Sequence, residues 1–175
     1  DTVGAMSVGR TTGFFDPFAG LCFPVDTIPF PGTWLDDAEV EQRERQSLKH
    51  LDQYLDQHGD ECAAILIEPL IQGAAGMNMC RPQFLRALQK RTKEAGVLLI
   101  FDEVMTGFGR TGAMFAALKA DLTPDLICLS KGLTAGFLPM SVTVASKAVY
   151  EAFLGDSFDR AFAHGHSFTA NPLGC

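Results

Sequence analysis

The sequence predicts an α/β fold built on a parallel sheet with helices on both faces. Four short apolar runs have the length and composition of buried strands: "AAILIEP" (63–69), "VLLIFD" (97–102), "DLICLS" (125–130) and "SVTVAS" (141–146). Helix-like stretches with one apolar side alternate with them, and parallel strands need such crossover connections. No internal repeat, low-complexity tract or linker interrupts the 175 residues, so the chain reads as one domain or part of one.

Taken in order, residues 1–35 are rich in Gly, Pro, Phe and Thr without a sustained period, and are read as irregular loop with at most one short strand. Asp36 and Asp37 then supply the cap of a long helix. Val40, Leu48, Leu51 and Leu55 form its apolar face and Gly59 its end. The run at 63–69 is a strand stopped by Pro69. Pro82 opens a second helix, with Phe84, Leu85, Leu88 and Ala95 on one side. Basic residues crowd its last turn and Gly96 follows, as the helix dipole favours. After the strand at 97–102 a glycine-punctuated loop leads to a short helix around Met114–Ala120. The last two strands and a helix from about Lys147 to Phe153 complete the pattern.

Composition excludes several classes. A formal charge of −7 argues against nucleic acid or an anionic membrane as partner. No apolar run approaches the ~18 residues of a membrane span, and no signal peptide opens the sequence. Five scattered cysteines, an odd number without a C-x-x-C pair, read as reduced thiols of a cytoplasmic protein. The chain starts at Asp1 without methionine and stops at "TANPLGC", so it is read as a segment of something longer.

In open parallel sheets ligands bind beyond the carboxyl ends of the strands. Glu68 ends one strand, Asp102 and Glu103 the next, and Ser130-Lys131 the third, so carboxylates and an amine face one crevice. Lys131 follows an apolar strand and precedes "GLTAGFLP", which offers little bulk against a bound molecule. Partly desolvated there, a lysine has a lowered pKa and becomes a nucleophile toward carbonyls. An acid such as Asp102 on the neighbouring strand end is what keeps a pyridine nitrogen protonated. Schiff-base lysine and pyridinium partner are together the protein's share of pyridoxal phosphate chemistry.

"LIFDEVMTGFGRTG", "PDLICLSKGLTAGFLP" and "HGHSFTANPLGC", in that order, resemble the central signatures of the class III aminotransferases, and the likeness extends over essentially the whole chain. The resemblance implies a fold type I transferase, of which residues 1–175 are part of the cofactor-binding large domain with a mostly parallel sheet, N- and C-terminal portions missing. It implies pyridoxal 5'-phosphate as cofactor, a small-molecule amino donor and keto acceptor, and a homodimer with its active site at the interface. It makes Lys131 the catalytic residue, Asp102 the partner of the ring nitrogen, and Val104 a residue under the ring. Ser167 stands where the family usually has threonine, holding the phosphate of the other subunit's cofactor. Serine keeps that donor.

Two departures narrow the branch: Met105 where many members have Gln, and Ala74 where users of 2-oxoglutarate have a second Glu. "QGAAGM" and "HGHSFTANP" are more similar to the diaminopelargonic acid aminotransferases of biotin synthesis, which move an amine from S-adenosylmethionine to 7-keto-8-aminopelargonate. In that branch Asp1, Gly165 and His166 line the substrate site. Lysine stays open as a donor, as do an ornithine, 4-aminobutyrate or diamine branch, a racemase or mutase using the same lysine, and a fragment inactive by itself.

Other signals carry less. "GFGRTG" lacks the Lys-Ser/Thr ending of a phosphate loop and reads as a turn shaping the crevice. His164-x-His166 lacks a third metal ligand nearby, so no metal is expected. Glu68 is read as catalytic or as ordering the loops, Glu103 as capping or bridging them.

Overall fold

The computed structural model describes residues 2–9 and 13–175. A short helix, α1 (Val3–Val8), stands where the sequence reads as irregular loop, because Thr2 caps it by accepting the Ala5 N–H. Ser7 is buried in it and its hydroxyl accepts the Phe23 N–H, fastening the loop that follows. The long helix α2 (Val40–His58) starts later than Asp36-Asp37 suggests. Asp36 takes a left-handed φ of 59°, so the chain turns there and Glu39 occupies the cap position. Asp37 accepts the Glu39 N–H and pairs with Arg43.

Strand β1 (Ala64–Ile67) follows, then a hairpin of β2 (Ile71–Gln72) and β3 (Asn78–Met79) that sequence periodicity does not reveal in so few residues. Helix α3 (Pro82–Ala95) has proline in its first turn and ends at Gly96, whose φ of 71° closes the helix. Phe84, Leu85 and Leu88 are buried as expected, whereas Ala95 is exposed. Gln89 and Thr92 complete the inner side, Gln89 by donating to the Thr123 carbonyl. Arg81 bonds both oxygens of Glu44 (2.9 and 2.7 Å) and Arg91 reaches Asp52 (2.6 Å), stitching α3 to α2.

The remaining elements are β4 (Leu98–Asp102), α4 (Ala116–Ala120), β5 (Leu126–Leu129), β6 (Val142–Ala145) and α5 (Lys147–Ala152). The main sheet runs β1-β4-β5-β6, parallel except for β6, which is antiparallel to β5. The sheet is therefore mostly parallel, as expected, with one antiparallel strand at its edge. Residues 130–141 contain a single 3-10 turn in place of a crossover helix, so the chain doubles back.

The coverage of the sheet differs from the expectation of helices on both faces. The steps β1→β4→β5 move in one direction, and right-handed crossovers then place α3 and α4 on the same face. Leu99 and Phe101 on that face are fully buried with Phe84, Leu85, Leu88, Ala116, Ala117 and Ala120. Each large apolar side chain enclosed there contributes on the order of 1.5–3 kcal/mol. On the other face Leu66 is 41% exposed, and among the described residues no helix covers it.

Glu103, next after β4, is fully buried. Its two oxygens accept the Ala116 N–H (2.6 Å) and the Ala117 N–H (2.8 Å), the first amides of α4, and Thr106 Oγ1 donates from 3.2 Å. This carboxylate ties the strand end to the helix start, and the loop 104–115 is folded between the two. We expect Glu103→Ala to cost about 3 kcal/mol or more, since it orphans two amides and a hydroxyl. Glu103→Gln should cost less, keeping one acceptor. Urea unfolding of the intact polypeptide measures both, and a loss below about 1 kcal/mol for the alanine variant would show that the knot is dispensable.

Candidate functional site

Alternation along β4 sends Leu99 and Phe101 to the core and Ile100 and Asp102 to the open face. Register extends Asp102 sideways: it pairs with Cys128 of β5, and Cys128 with Thr143 of β6. Glu68 follows Ile67, the partner of Phe101, and stands beside Asp102 on the other side. A polar row, Glu68–Asp102–Cys128–Thr143, therefore crosses the open face, with the apolar row Leu66–Ile100–Leu126 before it.

Asp102 Oδ1 accepts the Val104 N–H at 3.0 Å, and among the described residues no hydrogen bond reaches its second oxygen. Lys131 lies in the 3-10 turn Lys131–Leu133 after β5 with φ of 42°, and its amine has no ion pair or hydrogen bond among the described residues. It is exposed. The expected partial desolvation is thus absent, because nothing among the described residues roofs the open face.

Glu68 joins the two. Its Oε2 accepts the Gly73 N–H at 3.0 Å, and it feels the charges of both Asp102 and Lys131. Burial pushes its carboxyl above the ordinary value, and the charge of Asp102 adds to this. The Gly73 bond and Lys131 pull the other way. A Cβ on Gly73 would collide with Met105 Sδ, so glycine lets the β1-end loop lie against the loop after β4. Burial, and then Asp102, also raise the Cys128 thiol, so it stays protonated at neutral pH. Glu68, Asp102 and Lys131 thus come within electrostatic reach of one another on the open side, while Glu103 is buried in the core.

The other expected site residues lie apart. Gly165, His166 and Ser167 are exposed, and the described hydrogen bonds of residues 164–175 all stay within that segment. His166 donates its N–H to Thr169 Oγ1 at 3.0 Å. Asp1 lies outside the described residues. Among these, no three His, Cys, Asp or Glu side chains are grouped to hold a metal ion, and no helix is long and apolar enough to cross a membrane. Cys128 and Thr143 were missed by sequence reasoning. Only strand register places them beside Asp102, and register has no local signal.

The family model described as aminotransferase class-III matches residues 1–175. The chain is 55% identical over its whole length to an adenosylmethionine-8-amino-7-oxononanoate aminotransferase of Synechococcus elongatus, and spans 41% of that relative. It is similar to the crystal structure of the Methanocaldococcus jannaschii enzyme of the same name. There the TM-score is 0.83 and the identity 36%, over all of this chain and 39% of that one. An amine transaminase from an uncultivated Pseudomonas species, solved in its PLP-bound form, matches with TM-score 0.76 and 30% identity, over 88% of this chain and 35% of that one.

The raised carboxyl of Glu68 gives a pH test. A folded-state pKa above the ordinary 4.5 means that the folded chain binds the proton more tightly. The stabilisation is then complete below 4.5 and is lost as pH rises through the folded value. Glu68→Gln keeps an acceptor for the Gly73 N–H and carries no charge. It should therefore melt higher than wild type at neutral pH and lose that advantage below pH 4.5. Thermal unfolding at the two pH values decides; an advantage equal at both would mean ionisation is not its source.

Proposed function

The chain belongs to the class-III aminotransferases, and from that premise we propose that it forms the central part of the cofactor-binding domain of a pyridoxal-phosphate enzyme. The observation that carries this reading is the pairing of a half-tied carboxylate with an unengaged amine. Asp102 has one oxygen held by Val104 and one available, and Lys131 stands in the same electrostatic field. That donor set fits a molecule carrying a basic ring nitrogen and an aldehyde. When bound, pyridoxal phosphate supplies the electron-accepting ring that amino-group exchange requires.

The chain's own residues then have distinct tasks. With the cofactor bound, Asp102 would hold a proton on the ring nitrogen through its available oxygen. Lys131 Nζ would hold the aldehyde and, as a free amine, carry a proton. Val104 would lie against the ring, and its N–H keeps Asp102 oriented. Ser167 donates to the phosphate of a partner subunit's cofactor, so the enzyme acts as a homodimer. Support for this comes from the segment 164–175, whose described hydrogen bonds stay within it. Gly165, His166 and Asp1 line the substrate site, and the enzyme works in the cytoplasm.

For the substrates we propose S-adenosylmethionine as amino donor and 8-amino-7-oxononanoate, the keto acceptor of biotin synthesis, as acceptor. The support is the name of the Synechococcus relative together with Ala74 and Met105. Activity belongs to the longer polypeptide, because the open sheet face and exposed Lys131 leave the site unroofed.

In the intact enzyme Lys131→Ala should reduce turnover by several orders of magnitude and remove the visible band of the cofactor-loaded protein, with the fold retained. More than a few per cent of wild-type turnover would reject the role of Lys131. For the donor, we expect S-adenosylmethionine to bleach the visible band in a single turnover and glutamate to leave it. Bleaching by glutamate alone places the enzyme among ordinary ω-aminotransferases, and bleaching by lysine alone replaces the donor.

A further inference from the structure

Two bulky residues beside the proposed cofactor site hold left-handed backbone conformations, Lys131 with φ of 42° and Phe108 with φ of 60°. Side chains of this size rarely take such angles, and they persist only where the surroundings over-determine them. The two strained residues meet at Gly132. A Cβ there would lie 2.8 Å from Phe108 Cβ and 2.9 Å from its Cδ2, closer than carbon atoms approach. Gly132 is therefore a steric requirement: without a side chain it lets the turn after β5 rest flat on Phe108.

Phe108 is itself fixed from behind. Its ring meets Phe115 edge-on, with centroids 5.7 Å apart. Phe115 occupies the cap position of α4, whose first amides Glu103 holds. Gly107 before it is wedged as well, since a Cβ there would stand 2.9 Å from the Glu103 carbonyl and 3.5 Å from Leu129 Cδ2. An unbroken series of contacts thus runs from Glu103 through Phe115 and Phe108 to Gly132 and the Lys131 backbone.

We propose that Phe108 is a positioning residue for Lys131: it is the wall that keeps the Lys131–Gly132 turn in its strained conformation and so sets where the lysine side chain leaves the backbone. The inference rests on the reading of Lys131 as the residue that secures the cofactor. Without the wall the turn relaxes toward negative φ, which redirects the Cα–Cβ bond of Lys131. A Cβ at Gly132 pushes the same turn off the same wall from the other side.

The test uses the intact enzyme loaded with pyridoxal phosphate, as wild type, Phe108→Ala, Phe108→Tyr and Gly132→Ala. Circular dichroism first confirms that each is folded. We expect Phe108→Ala and Gly132→Ala each to lower kcat by about tenfold or more, with KM for the acceptor within about twofold, as misplacement of a reacting group does. Both should also move the pH midpoint of the visible band, and Phe108→Tyr, which keeps Cβ and ring, should restore both values. A structural role alone would lower the melting temperature and leave the midpoint in place. Gly132 is exposed, so Gly132→Ala decides if Phe108→Ala fails to fold. Either folded variant with wild-type kcat and midpoint overturns the proposal. A wild-type protein without a visible band instead removes the reading of Lys131 itself.

Discussion

The buried carboxylate of Glu103 is the constraint on which the rest of this structure depends. A charge withdrawn from water is tolerated only when its lone pairs are taken up, and here two helix-start amides and a hydroxyl do so. The dipole at the start of α4 favours negative charge at the same point. The consequence reaches the neighbouring residue through strand geometry. Successive residues at the end of β4 face opposite sides, so a Glu103 committed to the helical face leaves Asp102 on the open one. A buried carboxylate and an open-face one are adjacent in sequence because a strand end can serve both faces at once.

The same knot orders the second half of the site. By holding the start of α4 it fixes Phe115, and through the Phe115–Phe108 contact it braces the turn that carries Lys131. Asp102 and Lys131 come from different strands, with 28 residues between them, yet both are referenced to one buried group. Glu68 and Met105 perform a similar service for the loop after β1, where Gly73 allows the two loops to close on each other.

Much of this was legible in the sequence because it is written locally. The apolar runs, Pro82 and Gly96 punctuate the chain at the places where strands and helices begin and end. The convergence of Glu68, Asp102 and Lys131 followed from one rule about strand ends. What stayed hidden depends on partners distant in the chain. The reversal of β6 is decided by the path of residues 130–141, and the row that adds Cys128 and Thr143 to Asp102 is decided by register. "DE" at 102–103 is likewise ambiguous until the face each residue takes is known. Helix α1 escaped notice because a single threonine cap organises six otherwise patternless residues.

The two unlike faces of the sheet have an evolutionary corollary. Residues that hold the fold together, such as Leu99, Phe101 and Glu103, and residues of the open face, such as Ile100 and Asp102, alternate along the same stretch of chain. A change on the helical face disturbs a filled interior and is paid in folded population. A change at the exposed Thr143 disturbs no filled interior and has a small thermodynamic cost. Such a scaffold lets selection explore new substrates along one face while the other stays constant, and relatives that diverge in specificity should differ first at the open-face positions of β5 and β6.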